Sequence, residues 1–265
     1  MQAAVLGHPV SHSRSPALHN AAYRALGLAD WTYRAIDCDR AQLADLLTGA
    51  VDGWAGFSVT MPLKHAALQA ATEVRPAAEL AGAANTLLPG PSGWVADNTD
   101  PDGVIGALRD AAIVATDGPV VLLGAGGAAQ AAVVALARLG VTDLTVLVRN
   151  ASRAGDLLVT AGRCSVRTTV SALNDAEALR GAGLVISSLP AGAADPVAGA
   201  AFRADQALLD MVYDPWPTAL AAAFLQAGGR VAHGLDMLLH QALRQVELMT
   251  GRTPPIAAMR AALTD

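Results

Sequence analysis

Four consecutive apolar residues, Val120-Val121-Leu122-Leu123, run straight into Gly124-Ala125-Gly126-Gly127-Ala128-Ala129 and then into an alanine-rich helical stretch. A buried strand, a glycine turn and a helix in that order constrain the chain to an α/β sheet of the doubly wound kind. Gly124 permits the tight turn, Gly126 lets the backbone approach a pyrophosphate, and Ala129 keeps the helix close to the strand. The helix N-terminus presents open amides and partial positive charge to phosphate, which makes Gly124, Ala125, Gly126, Gly127 and Ala128 a candidate dinucleotide cradle. Taken by themselves, the same residues also suit a glycine turn that binds nothing.

The next apolar run, residues 144–148, ends at Arg149, and Arg153 follows four residues later. An acid at this place bonds a ribose 2′-hydroxyl, whereas an arginine accommodates a 2′-phosphate. Guanidinium groups hold phosphate by paired hydrogen bonds and stack on adenine. Arg149 and Arg153 therefore favour NADP over NAD, with two solvated surface arginines as the alternative.

The chain has 265 residues, room for one large domain or two small ones. Hydrophobic residues make up 53% and charged residues 15%, so the composition is globular and not disordered. A net charge of −5 and the lack of a basic run argue against a nucleic-acid surface. Cys38 and Cys164 stand apart and form neither a disulfide framework nor a metal motif, which suits a reducing cytoplasm. The chain opens directly on a strand pattern, so no signal peptide is expected. Residues 120–139 approach the length of a membrane span but contain three glycines, Gln130 and Arg138, and read better as strand, turn and helix. The expectation is a cytoplasmic protein with a small-molecule substrate, no nucleic-acid or membrane partner, and a monomeric or homodimeric state left open.

Short apolar runs alternate with helical stretches along the chain. Strands are expected at residues 3–6, 31–36, 56–59, 120–123, 144–148, 184–187, 207–211 and 230–232. Helices are expected at 16–26, 40–49, 64–71, 128–138, 176–180, 218–227 and 235–249. The alternation implies parallel sheets with helices on their faces. The segment 89–102 is rich in Gly, Pro, Asp and Asn and reads as the join between two units, followed by a linking helix at 103–112. The expected fold class is therefore α/β with two domains. An N-terminal open α/β substrate domain covers residues 1–101 and is completed by helices in 236–265, and a Rossmann-type dinucleotide-binding domain covers 102–235.

Gly7-His8-Pro9-Val10-Ser11-His12-Ser13-Arg14-Ser15-Pro16 follows the first strand pattern and places two hydroxyls, Ser13 and Ser15, around one cation. Pro16 suits a first helical turn, and the hydroxyls suit a ligand with a carboxylate or many hydroxyls. A capped helix entrance fits the same residues. Lys64, in Val59-Thr60-Met61-Pro62-Leu63-Lys64, is the sole lysine of the chain. Arginine cannot exchange its proton near neutral pH, whereas a partly desolvated lysine can. Asp97-Asn98-Thr99-Asp100 offers a companion acid, or an Asx-rich turn. Asn85, in Ala83-Ala84-Asn85-Thr86, offers an amide for hydroxyl groups. No histidine stands at metal-ligand spacing, so no metal is expected, and His12 and His19 are read as shaping the first turn.

In register over nearly the whole chain, these pieces resemble shikimate dehydrogenase. The resemblance is carried by Ser13-Arg14-Ser15-Pro16 with His19-Asn20, Val59 to Lys64, Ala84-Asn85-Thr86, Asn98-Thr99-Asp100 and the glycine turn. It continues through Arg149 with Arg153, Asp210-Met211-Val212-Tyr213-Asp214-Pro215, Gly234-Leu235-Asp236-Met237-Leu238 with Gln241, and Thr250-Gly251. It implies reversible NADPH-dependent reduction of 3-dehydroshikimate to shikimate, in aromatic amino acid biosynthesis. By that resemblance Lys64 and Asp100 are the catalytic pair and Ser13 and Ser15 the carboxylate ligands. Thr60, Asn85 and Gln241 would hold ring hydroxyls, Tyr213 would lie near the carboxylate, and Gly234 and Met237 would line the nicotinamide side. Ser58, Val148 and Ser187-Ser188-Leu189-Pro190 depart from the family's commonest residues. A quinate/shikimate or aminoshikimate dehydrogenase, with relaxed or NAD cofactor use, is the runner-up. A methylene-tetrahydrofolate dehydrogenase would need a pterin-stacking aromatic, for which a 4% aromatic content offers little. A non-catalytic NADPH sensor has no use for Lys64 and Asp100.

Overall fold

A computed structural model describes residues 1–50 and 52–263. The chain divides into two compact units, Met1–Thr99 with Leu238–Asp265, and Asp100–Met237.

The first unit contains strands β1 (Gln2–Gly7), β2 (Thr32–Asp37), β3 (Trp54–Val59), β4 (Glu73–Val74), β5 (Thr86–Gly90) and β6 (Gly93–Asp97), in the sheet order β2-β1-β3-β5-β6-β4. Its helices are α1 (Ser15–Ala25), α2 (Leu43–Gly49), α3 (Lys64–Ala70) and α4 (Pro76–Ala81). β1 is apolar and buried over five successive residues, as expected for a strand covered on both faces. Phe57 anchors one core, with the Trp54 and Trp94 rings 4.6 and 5.1 Å away.

One expectation is corrected here. The sheet is mixed and not parallel: β5 runs antiparallel to both β3 and β6. The division between the two units, at Thr99 and Asp100, falls inside the segment 89–102, whose earlier part is a hairpin with Gly90 paired to Gly93 across Pro91 and Ser92. The turn residues cluster at the tip of a two-residue loop, and that composition outweighed the short apolar strands on either side.

The second unit contains β7 (Val120–Leu123), β8 (Asp143–Val148), β9 (Arg167–Ala172), β10 (Leu184–Ser187), β11 (Ala207–Asp210) and β12 (Arg230–His233). All are parallel, in the order β12-β11-β10-β7-β8-β9. Its helices are α5 (Asp100–Asp110), α6 (Gly127–Arg138), α7 (Gly155–Arg163), α8 (Ala176–Gly181) and α9 (Ala219–Gln226). Residues of β7 alternate between two cores, Val120 and Leu122 in one and Val121 and Leu123 in the other, which is the period-two signature of a central strand. The expected linking helix is α5, and it is structural: Val104, Ala107 and Leu108 are buried in the first of these cores. β9 escaped the sequence reading because its face is half polar, and α7 because it follows directly on a turn. Helix α10 (Gly234–Thr250) begins in the second unit and continues into the first, followed by α11 (Ile256–Ala261). Among the described residues no helix is long and apolar enough to cross a membrane.

Candidate active site

In the second unit the strand order reverses at β7, whose neighbours are β8 and β10. Ligands of open α/β sheets bind at the carboxyl ends of the strands at such a switch point. Here β7 is followed by Gly124, whose φ is +100°, and a Cβ on it would meet Ser188 Oγ at 2.6 Å. The positive φ therefore favours glycine, and a side chain there would also have to displace Ser188 Oγ. Gly126 differs: its φ of −82° is ordinary, and a Cβ would meet nothing within 4 Å. Space above Gly126 is open to an approaching ligand.

Gly127 starts α6, Ala128 follows half-buried, and Ala129 is buried in the core. A cavity of about 640 Å³ is lined by Gly124, Ala125, Gly126, Val148, Arg149, Asn150, Arg153 and Leu189. Arg149 and Arg153 are exposed, and Asn150 organises the turn that carries them, accepting from the Ser152 amide at 3.0 Å. The glycine turn, the helix start and both guanidinium groups thus share one cavity, and these residues fit a dinucleotide bearing an extra phosphate. Gly126→Val should leave the thermal midpoint nearly unchanged while weakening NADPH binding by about tenfold or more, a loss of ~1.4 kcal/mol. Calorimetric titration checks this, and undiminished affinity would remove Gly126 from the cradle.

Farther along this unit, Asp210 is buried and accepts from Thr218 Oγ1 at 2.6 Å and from the Val212 amide at 3.2 Å, which ties down the segment bearing Tyr213. Burial pushes the Asp210 carboxyl up. His233 Nδ1 accepts from the Leu235 amide at 2.8 Å, fixing the entrance to α10. Gly234 is required by packing, since a Cβ would lie 2.5 Å from the Met211 carbonyl oxygen. Met237 is buried in the core of this unit.

In the first unit, the strand directions gather the other candidates at one sheet edge. β1, β3 and β6 end there, and β5 begins there, with Ser58 registered to Thr86 and Thr86 to Asp97. Ser13 and Ser15 follow β1, Thr60 and Lys64 follow β3, Asn85 precedes β5, and Asn98 and Thr99 follow β6. The Val59 amide donates to the Asn85 carbonyl oxygen at 2.6 Å, and the Thr60 amide to that of Leu6 at 2.9 Å. Ser13 Oγ accepts from the Ser15 amide at 3.3 Å, which closes the serine turn at the head of α1. Lys64 opens α3 half-buried, and its carbonyl oxygen accepts from the Ala84 amide at 2.9 Å. Asn85 Oδ1 accepts from the Thr99 amide at 2.8 Å, and its Nδ2 faces Gln241 Oε1 at 3.5 Å. Asp100, by contrast, is the first residue of α5 and of the second unit, and is buried.

Behind this edge lies a polar layer that sequence reasoning missed. Tyr33 and Gln245 are buried side chains with polar tips that no short motif marks, and Thr86, which stands in the Ala84-Asn85-Thr86 motif, is buried with them. His19 does more than shape the turn: it is fully buried, and its ring stacks on Tyr33 at 3.9 Å. Among the described residues neither of its ring nitrogens meets a hydrogen-bond partner, and burial pushes its pKa down to about 3.

Comparison with known proteins decides what this arrangement belongs to. The family model described as the shikimate dehydrogenase substrate binding domain matches residues 5–87, and the shikimate 5′-dehydrogenase C-terminal domain matches 234–264. A curated NADP-dependent shikimate dehydrogenase from Methanocella arvoryzae is 36% identical, over 98% of this chain and 97% of its own. The chain belongs to the shikimate dehydrogenase family. The crystal structure of Mycobacterium tuberculosis shikimate dehydrogenase superposes with a TM-score of 0.91 at 50% identity, covering 99% of this chain and 98% of that one. The Thermus thermophilus shikimate 5-dehydrogenase, solved with NADP(H) and shikimate, gives a TM-score of 0.87 at 34% identity, covering 100% and 98%.

Proposed function

We propose that this protein catalyses the reversible NADPH-dependent reduction of 3-dehydroshikimate to shikimate. The observation that carries this reading is the cavity shared by the glycine turn, Arg149 and Arg153 in a chain similar end to end to NADP-dependent shikimate dehydrogenases. When bound, the nicotinamide supplies the reducing equivalents for the substrate carbonyl. The remaining work falls to side chains. Lys64 polarises the carbonyl oxygen and gives it a proton as it becomes a hydroxyl, with Asp100 as the carboxylate of the pair. Ser13 and Ser15 donate to the substrate carboxylate, near which Tyr213 is assigned. Thr60, Asn85 and Gln241 hold ring hydroxyls. Gly234 and Met237 are assigned to the nicotinamide side, Met237 by its packing, since its side chain is buried.

Initial rates with shikimate and with quinate, each with NADP and with NAD, test the assignment. Shikimate with NADP should be the fastest pair; a fastest pair with quinate or NAD overturns it. In the same assay Arg149→Ala should lower kcat/KM for NADP by roughly ten- to a hundredfold, as expected for losing a charged hydrogen bond of about 1.5–3 kcal/mol. Its rate with NAD should hardly move, because NAD lacks the 2′-phosphate.

A further inference from the structure

At the end of the first unit away from the substrate edge lies a cavity of about 460 Å³ that the proposed reaction does not use. Asn20, Tyr23, Arg24 and Gly27 line it from α1 and its end, and Leu28, Ala29 and Trp31 line it from the turn that follows. β2 begins directly after Trp31, with Thr32 registered to Gln2, whereas its other end, Asp37, is registered to Gly7 beside the substrate residues. Thr32 to Asp37 spans about 16 Å at ~3.3 Å per residue, so the cavity and the substrate edge are separate places.

The turn is built to hold its shape. The Leu26, Gly27 and Leu28 amides donate to the carbonyl oxygens of Ala22, Arg24 and Tyr23 at 2.9, 3.1 and 2.9 Å, and Gly27 takes a φ of +67°. Arg252 donates to the Leu26 carbonyl oxygen at 3.0 Å. The last carbonyls of α1 are thus occupied, and the partial negative charge of the helix end is met before it reaches the cavity. The buried Tyr23 ring lies edge-on to Trp31, with centroids 5.3 Å apart and planes at 62°, and holds the indole at the cavity wall.

The polar groups on that wall are donors. Asn20 is engaged with Tyr33, its Nδ2 donating to the Tyr33 carbonyl oxygen at 2.8 Å and its Oδ1 accepting from the Tyr33 amide at 3.0 Å. The Tyr23 hydroxyl is buried and out of a ligand's reach. That leaves the exposed Arg24 guanidinium and the Trp31 indole N–H, which meet no partner among the described residues and have no capacity to accept. Asp30 is the one acid in residues 20–31, and it does not line the cavity. Two donors at the rim of an apolar wall call for an anionic group on a flat apolar body. A cation would meet Arg24, and a bare inorganic anion would leave the wall of Tyr23, Leu28 and Ala29 unused. The volume falls within the range of about 300–1,000 Å³ that small-molecule sites occupy.

We infer that this cavity binds a small aromatic carboxylate, with its carboxylate on the Arg24 guanidinium and the Trp31 indole N–H and its ring on Tyr23, Leu28 and Ala29. The site is distinct from the substrate edge and does not depend on the function proposed above.

Phenylacetate is the probe, and the readout is the Trp31 indole N–H resonance of the full chain, identified by its loss in Trp31→Phe. With shikimate in large excess, phenylacetate should still move this resonance saturably. Phenylacetamide keeps the shape without the charge, and acetate keeps the charge without the ring; each should bind at least about tenfold more weakly. Arg24→Gln should weaken phenylacetate about tenfold, the effect of ~1.4 kcal/mol, and leave the thermal midpoint unchanged because the guanidinium is exposed. An unmoved Trp31 resonance overturns the inference. So does equal binding of phenylacetamide or acetate, undiminished binding to Arg24→Gln, or displacement of phenylacetate by shikimate.

Discussion

Lys64→Ala lowers kcat by about 10²–10⁴-fold with only a modest change in the KM for shikimate, the usual worth of positioned acid–base help. Initial rates of NADP reduction at saturating shikimate provide the measurement. Every other basic side chain among the 18 lysines and arginines is an arginine, which keeps its proton at any working pH. Lys64 is therefore the chain's sole amine side chain able to exchange one. Its backbone is held by the Ala84 amide where α3 begins, directly beyond the end of β3. Lys64→Arg separates charge from proton transfer. It keeps a cation at the position, so a role limited to electrostatic attraction predicts recovery of most of the rate. Proton delivery predicts that Lys64→Arg stays close to Lys64→Ala. A near-wild-type kcat in Lys64→Ala would sink the assignment altogether.

Much of this was legible in sequence because the relevant features are local. The strand at 120–123 and the helix after it follow from four apolar residues and a glycine turn, and the structure places them at Val120–Leu123 and Gly127–Arg138. Arg149 follows the end of β8 and lines the same cavity as the turn, as strand–turn spacing implies. What stayed hidden depends on pairing over long separations. The antiparallel pairing of β5 with β3 joins Ser58 to Thr86, and Gln245 reaches Ser58 across 187 residues. Polar residues inside a core carry no periodic signal, so Ser58 stands out in the sequence only as a departure from the family's commonest residue, and Tyr33 does not stand out at all. Gly126 and Gly234 illustrate the same divide. Both match a motif, yet one faces open space and the other a carbonyl oxygen, and only coordinates separate ligand approach from packing.

The histidine beneath the substrate turn makes the protein acid-sensitive. In the folded state His19 is neutral, with its pKa pushed down to about 3, whereas in the unfolded chain it protonates at the ordinary value of 6.5. Below pH 6.5 the unfolded state binds a proton that the folded state refuses, so stability is lost as pH falls, at up to ~1.4 kcal/mol per pH unit, until the folded pKa is reached. Asp210 acts in the opposite sense, because burial raises its pKa and acid relieves that penalty. The contribution of His19 is therefore read by difference. His19→Phe retains a ring against Tyr33 and removes the titration. Denaturant unfolding of both proteins at about pH 7 and about pH 4.5 should show the wild type losing about 2–3 kcal/mol more than the variant over that interval. That is a large share of a typical folding free energy of about 5–15 kcal/mol. Because the His19 ring packs on Tyr33, the same acid transition should loosen the packing around Tyr33. Parallel pH dependence in the two proteins would show that His19 does not govern the acid limb.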